Sequence, residues 1–254
     1  MSGHSKWSTI KRRKGAEDAK RSKIFTRIAR EITTAVKEGG GIGDPESNPR
    51  LRLAVDKARG SNMPKDAIQR AISRATGAGD DGIVLEETIY EGYGPGGVAI
   101  LVETLSDNKN RTLAEVKHAF SRGGGSMGSA GTVQWQFTQK GFIQLSSENK
   151  VDFDEVFMVA AEAGADDVVD EEGTISIYTT RENLFTVAKA LMDGGYQVAD
   201  SQLIWEAQNE TELAPDVAAQ VLKLLEKLEE LDDVQNVSSN LAINEAALAA
   251  FGEG

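Results

Sequence analysis

EETIYEGYGPGGVAILVETL, residues 86–105, is where the chain changes from a helical to an extended grammar. Two strand-like runs flank the turn residues of GYGPGG, and the second, VAILVETL, is apolar on both faces, as a central strand would be. Such a strand needs cover on both sides. RTLAEVKHAFSR follows with Leu113, Val116 and Phe120 on one helical face. GTVQWQF, residues 131–137, then alternates Val133, Trp135 and Phe137 against Thr132, Gln134 and Gln136, the pattern of a half-buried strand. Near the C-terminus, Val217, Val221, Leu224, Leu225, Leu228 and Leu231 recur at helical spacing ahead of a weak strand. A helix so apolar on one face needs a sheet, and residues 82–137 supply strands with one helix, so residues 210–245 are assigned to that same domain.

Between these two pieces, residues 142–207 repeat a strand–helix–strand unit. GFIQLS leads to the helix DFDEVFMVAAEAG and the hairpin DDVVDEEGTISIYTT; RENLFTVAKALMDGG is a second helix and SQLIWEA the closing strand. The order β-α-β-β-α-β is the split ferredoxin-like pattern, and the two helix ends, EAGADDV and DGGYQV, resemble each other about 31 residues apart.

Upstream, Ile24, Ile28, Ile32 and Val36 recur every four residues with Phe25 and Ala35 alongside, while Lys20, Arg21, Lys23, Arg27 and Arg30 lie elsewhere on the same rod. EGGGIGDPESNP, residues 38–49, ends that helix with four glycines and two prolines. Asn48 as cap and Pro49 in the first turn predict a second helix to Arg59, and a third runs from Pro64 to Ala75. The expected fold class is α+β: a basic arm and three-helix domain (1–77), a discontinuous α/β sandwich (82–137 with 210–245), and a ferredoxin-like α/β sandwich (138–208) inserted in it.

Charge is segregated along the chain. Residues 1–75 carry 18 Lys plus Arg against 8 Asp plus Glu, a balance of +10; the other 179 carry 10 against 32, a balance of −22 within a net −12. A cationic segment raises the potential felt by phosphates, and an anionic remainder favours solubility. The arm KWSTIKRRKGAEDAKRSK, residues 6–23, calls for an anionic partner. The same composition also suits a merely solvated tail.

With no cysteine there is no disulfide, thiolate nucleophile or cysteine metal site. His4 and His118 are too few for a Ser-His-Asp relay or a His-rich metal centre. Asp166, Asp167, Asp170, Glu171 and Glu172 match no calcium-loop spacing and read as a solvated hairpin. No apolar run reaches the roughly 20 residues of a membrane span, and the N-terminus lacks a secretory h-region. A cytoplasmic protein with no metal, no cofactor and no membrane partner is expected.

Gly92, Gly94 and Gly97 satisfy the dinucleotide spacing G-x-G-x-x-G, but a strand follows where a helix is required and Pro95 removes a donor, so a hairpin turn is expected. SRGGGSMGSAG, residues 121–131, lacks the Gly-Lys-Ser/Thr ending of a phosphate loop, leaving an NTP-dependent enzyme without its lysine. A mobile contact loop with Met127 as an adaptable apolar tip is one reading, a long connection the other. The preceding helix carries Lys109, Arg111, Lys117 and Arg122, four of the ten basic residues of the acidic part, which suggests a second anion-contacting surface.

The blocks GHSKWSTIKRRKGAEDAKRSKIFTRIAREI, NPRLRLAVDKARGSNMPKDAIQRAI, YEGYGPGGVAILVETLSDNKNRT and GGGSMGSAGTVQW together resemble the YebC/PmpR-type family, labelled "probable transcriptional regulatory proteins", whose mitochondrial relative is a translational activator of cytochrome c oxidase. The resemblance spans essentially the whole chain. It implies a three-domain cytoplasmic protein that is not an enzyme and whose partner is DNA, ribosomal RNA or the ribosome. Some family members are described as DNA-binding transcriptional regulators, others as ribosome-associated factors that relieve stalls at proline-rich stretches.

On the residues, Lys6, Lys11, Arg12, Arg13, Lys14, Lys20, Arg21, Lys23 and Arg27 are assigned to phosphate contacts, with Trp7 as a stacking or anchoring group. Lys109, Arg111 and Arg122, with the loop Gly123, Gly124, Gly125, Ser126, Met127, Gly128 and Ser129, form the second candidate surface. Specific duplex reading usually needs base-reading side chains in the major groove. A basic arm with a glycine-rich loop suits folded RNA at least as well.

Overall fold

The computed structural model describes residues 17–77, 85–146, 151–171 and 174–252. It is a mixed α/β fold with eight α-helices and two four-stranded antiparallel sheets among those residues. The helical part comprises α1 (Glu17–Glu38), α2 (Pro49–Gly60) and α3 (Lys65–Ala75). Asn48 is the joint between the first two. Its side-chain oxygen accepts from the Leu51 N–H at 3.1 Å and caps α2, while Nδ2 donates to Ala35 O at 2.9 Å and Ile42 O at 3.1 Å, tying the end of α1 and the loop after it to the start of α2. Ile28, Ile32, Val36, Leu51, Val55 and Ile72 fill the space between the helices. Ile24, expected on the same row, is 43% exposed, so the packed stripe begins one turn later. Pro64 caps α3 rather than entering it.

The chain continues with β1 (Glu86–Tyr93), β2 (Ala99–Ser106), α4 (Lys109–Arg122), β3 (Ser126–Met127), β4 (Phe137–Leu145), α5 (Phe153–Glu162), β5 (Ala165–Glu171) and β6 (Thr174–Thr180). It closes with α6 (Leu184–Asp193), β7 (Val198–Ala207), α7 (Pro215–Glu229), β8 (Val234–Ser239) and α8 (Glu245–Gly252). Two compact units result. One draws on Ile83–Thr138 and Trp205–Gly254, the other on Ile24–Gly82 and Gln139–Ile204.

In the first unit the strand order is β3-β1-β2-β8. β2 is apolar on both faces, as its sequence requires. Val98, Ile100 and Val102 meet Val116 and Phe120 of α4 and the leucines of α7; Ala99 and Leu101 face Val133 and Phe137, with Trp205 partly buried beside them. Each such fully buried side chain contributes about 2 kcal/mol of transfer free energy. GYGPGG is a hairpin turn, with a single 3₁₀ turn at Pro95–Gly97 between antiparallel strands, and not a nucleotide loop. The two-residue β3 pairs with the end of β1, Gly92 opposite Met127 and Tyr93 opposite Ser126.

Gly92 is where the backbone comes closest. A Cβ there would stand 2.6 Å from Ser126 O and 2.8 Å from a Phe120 ring carbon. Gly92→Ala is therefore expected to cost about 2 kcal/mol by overpacking, read as a lower urea midpoint at unchanged slope.

GTVQWQF is not the half-buried strand that its alternation suggests. Gln134–Gln136 form a 3₁₀ turn, and β4 starts at Phe137. Val133 and Phe137 are buried as expected, whereas Trp135 is 70% exposed. The physical reason is the Glu91 carboxylate of β1, which takes the N–H groups that a strand would give to a neighbour. Leu113, expected on the packed face of α4, is exposed, and Thr112 is buried in its place.

The second unit has strand order β5-β6-β4-β7, with α5 following β4 and α6 following β6, the ferredoxin-like arrangement read from the repeat. β5 and β6 form the acidic hairpin, Glu171 opposite Thr174. Ile143, Ile177, Val156, Val187 and Leu191 form the core under the two helices, and Leu53 of α2 is buried in the same cluster. On the other face, Phe142 and Tyr178 stack with Ile204, ring centroids 5.6 Å apart and tilted by 58°. Lys57 of α2 reaches Glu31 Oε1 at 3.2 Å and Asp200 Oδ1 at 3.3 Å, joining α1, α2 and β7 in one ion-pair cluster. Burial alone would lower the Lys57 pKa; the two carboxylates outweigh it and hold the ammonium above its ordinary value.

Candidate nucleic-acid interface

Of the residues assigned to phosphate contacts, Lys6, Trp7, Lys11, Arg12, Arg13 and Lys14 lie outside the described residues. Lys20, Arg21 and Lys23 fall in the first two turns of α1, which begins at Glu17, seven residues before the apolar row. Their side chains are not described. Arg27 and Arg30 follow on the same helix, half-buried, beside the row that packs through Ile28 and Ile32. The segment carrying the arm's charge thus runs directly into a helix clamped by a hydrophobic core.

The second surface is divided. At the start of α4, Asn108 accepts the Arg111 N–H at 3.1 Å as helix cap. Arg111 Nη2 donates to Asp233 Oδ2 at 2.7 Å and to Asp107 Oδ1 at 2.9 Å. Asp233 is nearly fully buried, and Ser106 Oγ at 2.9 Å and Thr112 Oγ1 at 2.7 Å also donate to its Oδ2. Lys109 pairs with Glu86 Oε2 at 2.6 Å. These bonds, led by Asp233 for Arg111 and by Glu86 for Lys109, raise both pKa values. The start of α4, expected to grip phosphate, binds the protein's own carboxylates.

The glycine-rich loop is likewise tied inward. Gly125 N–H donates to Phe120 O at 2.8 Å and Gly128 N–H to Glu91 O at 2.8 Å. Met127, expected as an apolar tip, is half-buried against the core under α4, held there by the β1–β3 pairing. The Glu91 side chain fixes the end of the loop and the turn after it: Oε1 accepts from Gly131 N–H at 2.6 Å, and Oε2 from Val133 and Gln134 N–H at 2.7 and 2.8 Å. Burial of Glu91, 3% exposed, opposes its ionisation; the three backbone donors prevail and hold the carboxyl below its ordinary value. Trp135 projects from this turn with Nε1–H donated to Thr132 O at 3.1 Å.

Arg122, at the other end of α4, lines an open cleft of about 820 Å³ between α4 and α7. Glu115, His118 and Arg122 come from one stripe of α4, spaced three and four residues apart; Gln220, Lys223 and Lys227 come from the matching stripe of α7. Ala119 and Leu231, both half-buried, add apolar surface to the lining above the buried Leu224. The loop backbone rests on Leu224, since a Cβ at Gly123 would fall 2.7 Å from Leu224 Cδ1. Sequence reading placed Arg122 here but missed Lys223 and Lys227, whose spacing signals only a solvated helix face until the two helices are brought together. Among the described residues no group of His, Cys, Asp and Glu is placed to hold a metal, and no helix is long and apolar enough to cross a membrane.

Residues 5–78 match the family model described as the TACO1/YebC protein N-terminal domain, and residues 85–241 match that of the TACO1/YebC second and third domain. Proteins named "probable transcriptional regulatory protein" are similar over nearly the whole length. One from Acidithiobacillus ferrooxidans is 52% identical, with 98% of each chain covered. One from Pseudomonas syringae is 49% identical, covering 99% of this chain and all of the relative. A crystal structure of a conserved hypothetical protein from Aquifex aeolicus superposes with a TM-score of 0.82 at 41% identity, covering 90% of this chain and 93% of that one.

Proposed function

The chain belongs to the TACO1/YebC family, and from that premise we propose that it is a non-enzymatic regulator of gene expression that binds nucleic acid through its basic N-terminal segment. The observation that carries the reading is the charge segregation, +10 over residues 1–75 against −22 over the remainder. An anionic body tolerates a polyanion only where a positive element meets it. α1 contains Lys, Arg, Ser and Thr but no Asn or Gln. It is composed to position phosphates rather than to read base edges. The division into a helical domain at 1–77, a middle domain at 82–137 with 210–245, and a third at 138–208 is part of the proposal, as is a cytoplasmic location.

Duplex DNA is the first target, because the relatives carry the name of transcriptional regulatory proteins. The absence of base-reading amides from α1 favours a second reading, in which the arm holds ribosomal RNA and the protein acts in translation.

If the arm neutralises about six phosphates, log affinity for duplex DNA falls against log salt with a slope of about −5. Changing Lys11, Arg12, Arg13 and Lys14 together to Glu should flatten the slope by about 3, measured by fluorescence anisotropy; an unchanged slope would sink the arm reading. Crosslinking in growing cells separates the targets. Discrete promoter fragments lost in the four-Glu variant support transcriptional control, and ribosomal RNA lost in that variant replaces it with translation.

A further inference from the structure

Of the cations without a carboxylate partner among the described residues of the acidic part, two line the α4–α7 cleft, while Lys117 and Arg181 lie outside its lining. Lys109, Arg111, Lys189 and Lys227 each hold a carboxylate, from Glu86, Asp107 with Asp233, Asp193 and Glu230 respectively. Among the described residues, Arg122 and Lys223 have no ion-pair partner, and they line the same cleft from two helices about 100 residues apart in sequence. Both are exposed, so their charges are retained without a desolvation cost.

We propose that this cleft is a second phosphate-binding site, which holds one phosphodiester of a single strand between Arg122 and Lys223 and lays the adjoining base against Ala119 and Leu231. The proposal rests on the nucleic-acid reading of the chain and adds a site to it. Its volume, about 820 Å³, lies within the range of ligand pockets. A paired duplex keeps its bases stacked inside, whereas a single strand offers a phosphate and a base face together, the combination that a cationic, partly apolar cleft accepts. Glu230 is engaged by Lys227 at 2.9 Å, which leaves Glu115 as the carboxylate that opposes an incoming anion. That gives a prediction of opposite sign: removing Glu115's charge strengthens binding where removing the cations weakens it.

The test uses the full chain and a short labelled single-stranded oligonucleotide, as DNA and as RNA. The double variant R122E/K223E is compared with R181E/K189E, an equal charge change at exposed residues outside the cleft lining. The cleft variant should lose about 10-fold in affinity and about 0.7 units of salt slope, the share of one single-strand phosphate. Glu115→Gln should gain about 2-fold. The proposal is overturned if the cleft variant matches its control, or if Glu115→Gln changes nothing. Weak binding of the arm variant beside an unaffected cleft variant overturns the cleft alone, while a wild-type chain that binds no strand at all overturns the functional reading with it. Calorimetry with a mononucleotide and with inorganic phosphate completes the set: either ligand binding as tightly as the strand would replace a strand site by a free-phosphate site.

Discussion

Glu91→Ala is expected to lower the unfolding free energy by about 3 kcal/mol, because it leaves one buried and two part-buried backbone donors without their acceptor. Val133 N–H is fully buried with its residue, and Gly131 and Gln134 share the same carboxylate. Glu91→Gln keeps an acceptor oxygen but gives up the charge, so about half the loss is expected. Urea unfolding monitored by circular dichroism measures both; a Glu91→Ala change within about 0.5 kcal/mol of wild type contradicts the account. The pH dependence has a fixed sign. Folding depresses the Glu91 pKa, so its contribution is fully present above the ordinary value of 4.5 and is lost as pH falls through the lower folded value. The gap between wild type and Glu91→Gln should therefore close in acid. Trp135 emission should shift in Glu91→Ala, since the turn that presents the indole is the element released.

Lys57→Ala should cost about 3 kcal/mol, the scale seen when one partner of a largely buried ion pair is removed and the other charges are stranded. Lys57 is only 22% exposed in its side chain, and Asp200 15%, so solvent cannot screen the orphaned carboxylates fully. Lys57→Met restores the aliphatic stem and should recover only the packing share. Neutralising all three, with Glu31→Gln and Asp200→Asn added to Lys57→Met, should recover more than the single change; equal stabilities would mean that the cluster is electrostatically idle. Folding raises the Lys57 pKa, so this contribution is fully present below the ordinary 10.5 and declines only as pH rises through the higher folded value. Between about pH 5 and 9 the loss in Lys57→Ala should be flat.

Most of the architecture is legible in local pattern. The four-residue apolar row of α1, the Asn48–Pro49 start of α2, the doubly apolar β2 and the β-α-β-β-α-β repeat each report a periodicity or a cap. What escapes are features set by partners distant in sequence. GTVQWQF alternates like a strand, yet a carboxylate some 40 residues upstream takes its N–H groups and winds it into a turn. Lys109 and Arg111 look free on their helix until Glu86 and Asp233 are placed beside them. Arg122 and Lys223 become one feature only when α4 and α7 pack on the same sheet. For the interface, composition locates the arm by charge alone, because phosphate recognition needs no fixed spacing.

The strand order β3-β1-β2-β8 also imposes a timetable during synthesis. A ribosome that has released residues up to about Ala207 has delivered every strand of the β5-β6-β4-β7 sheet, which can close at once. β2, by contrast, still waits for β8, and Ile100, Val102 and Phe120 for the leucines of α7. A chain halted at that point carries one finished sheet and one half-built sheet with a bare edge at β2, the arrangement most prone to strand-to-strand association. The last fifth of the chain therefore acts as the closing piece, whose arrival pairs the open side of β2 and covers its apolar face with α7.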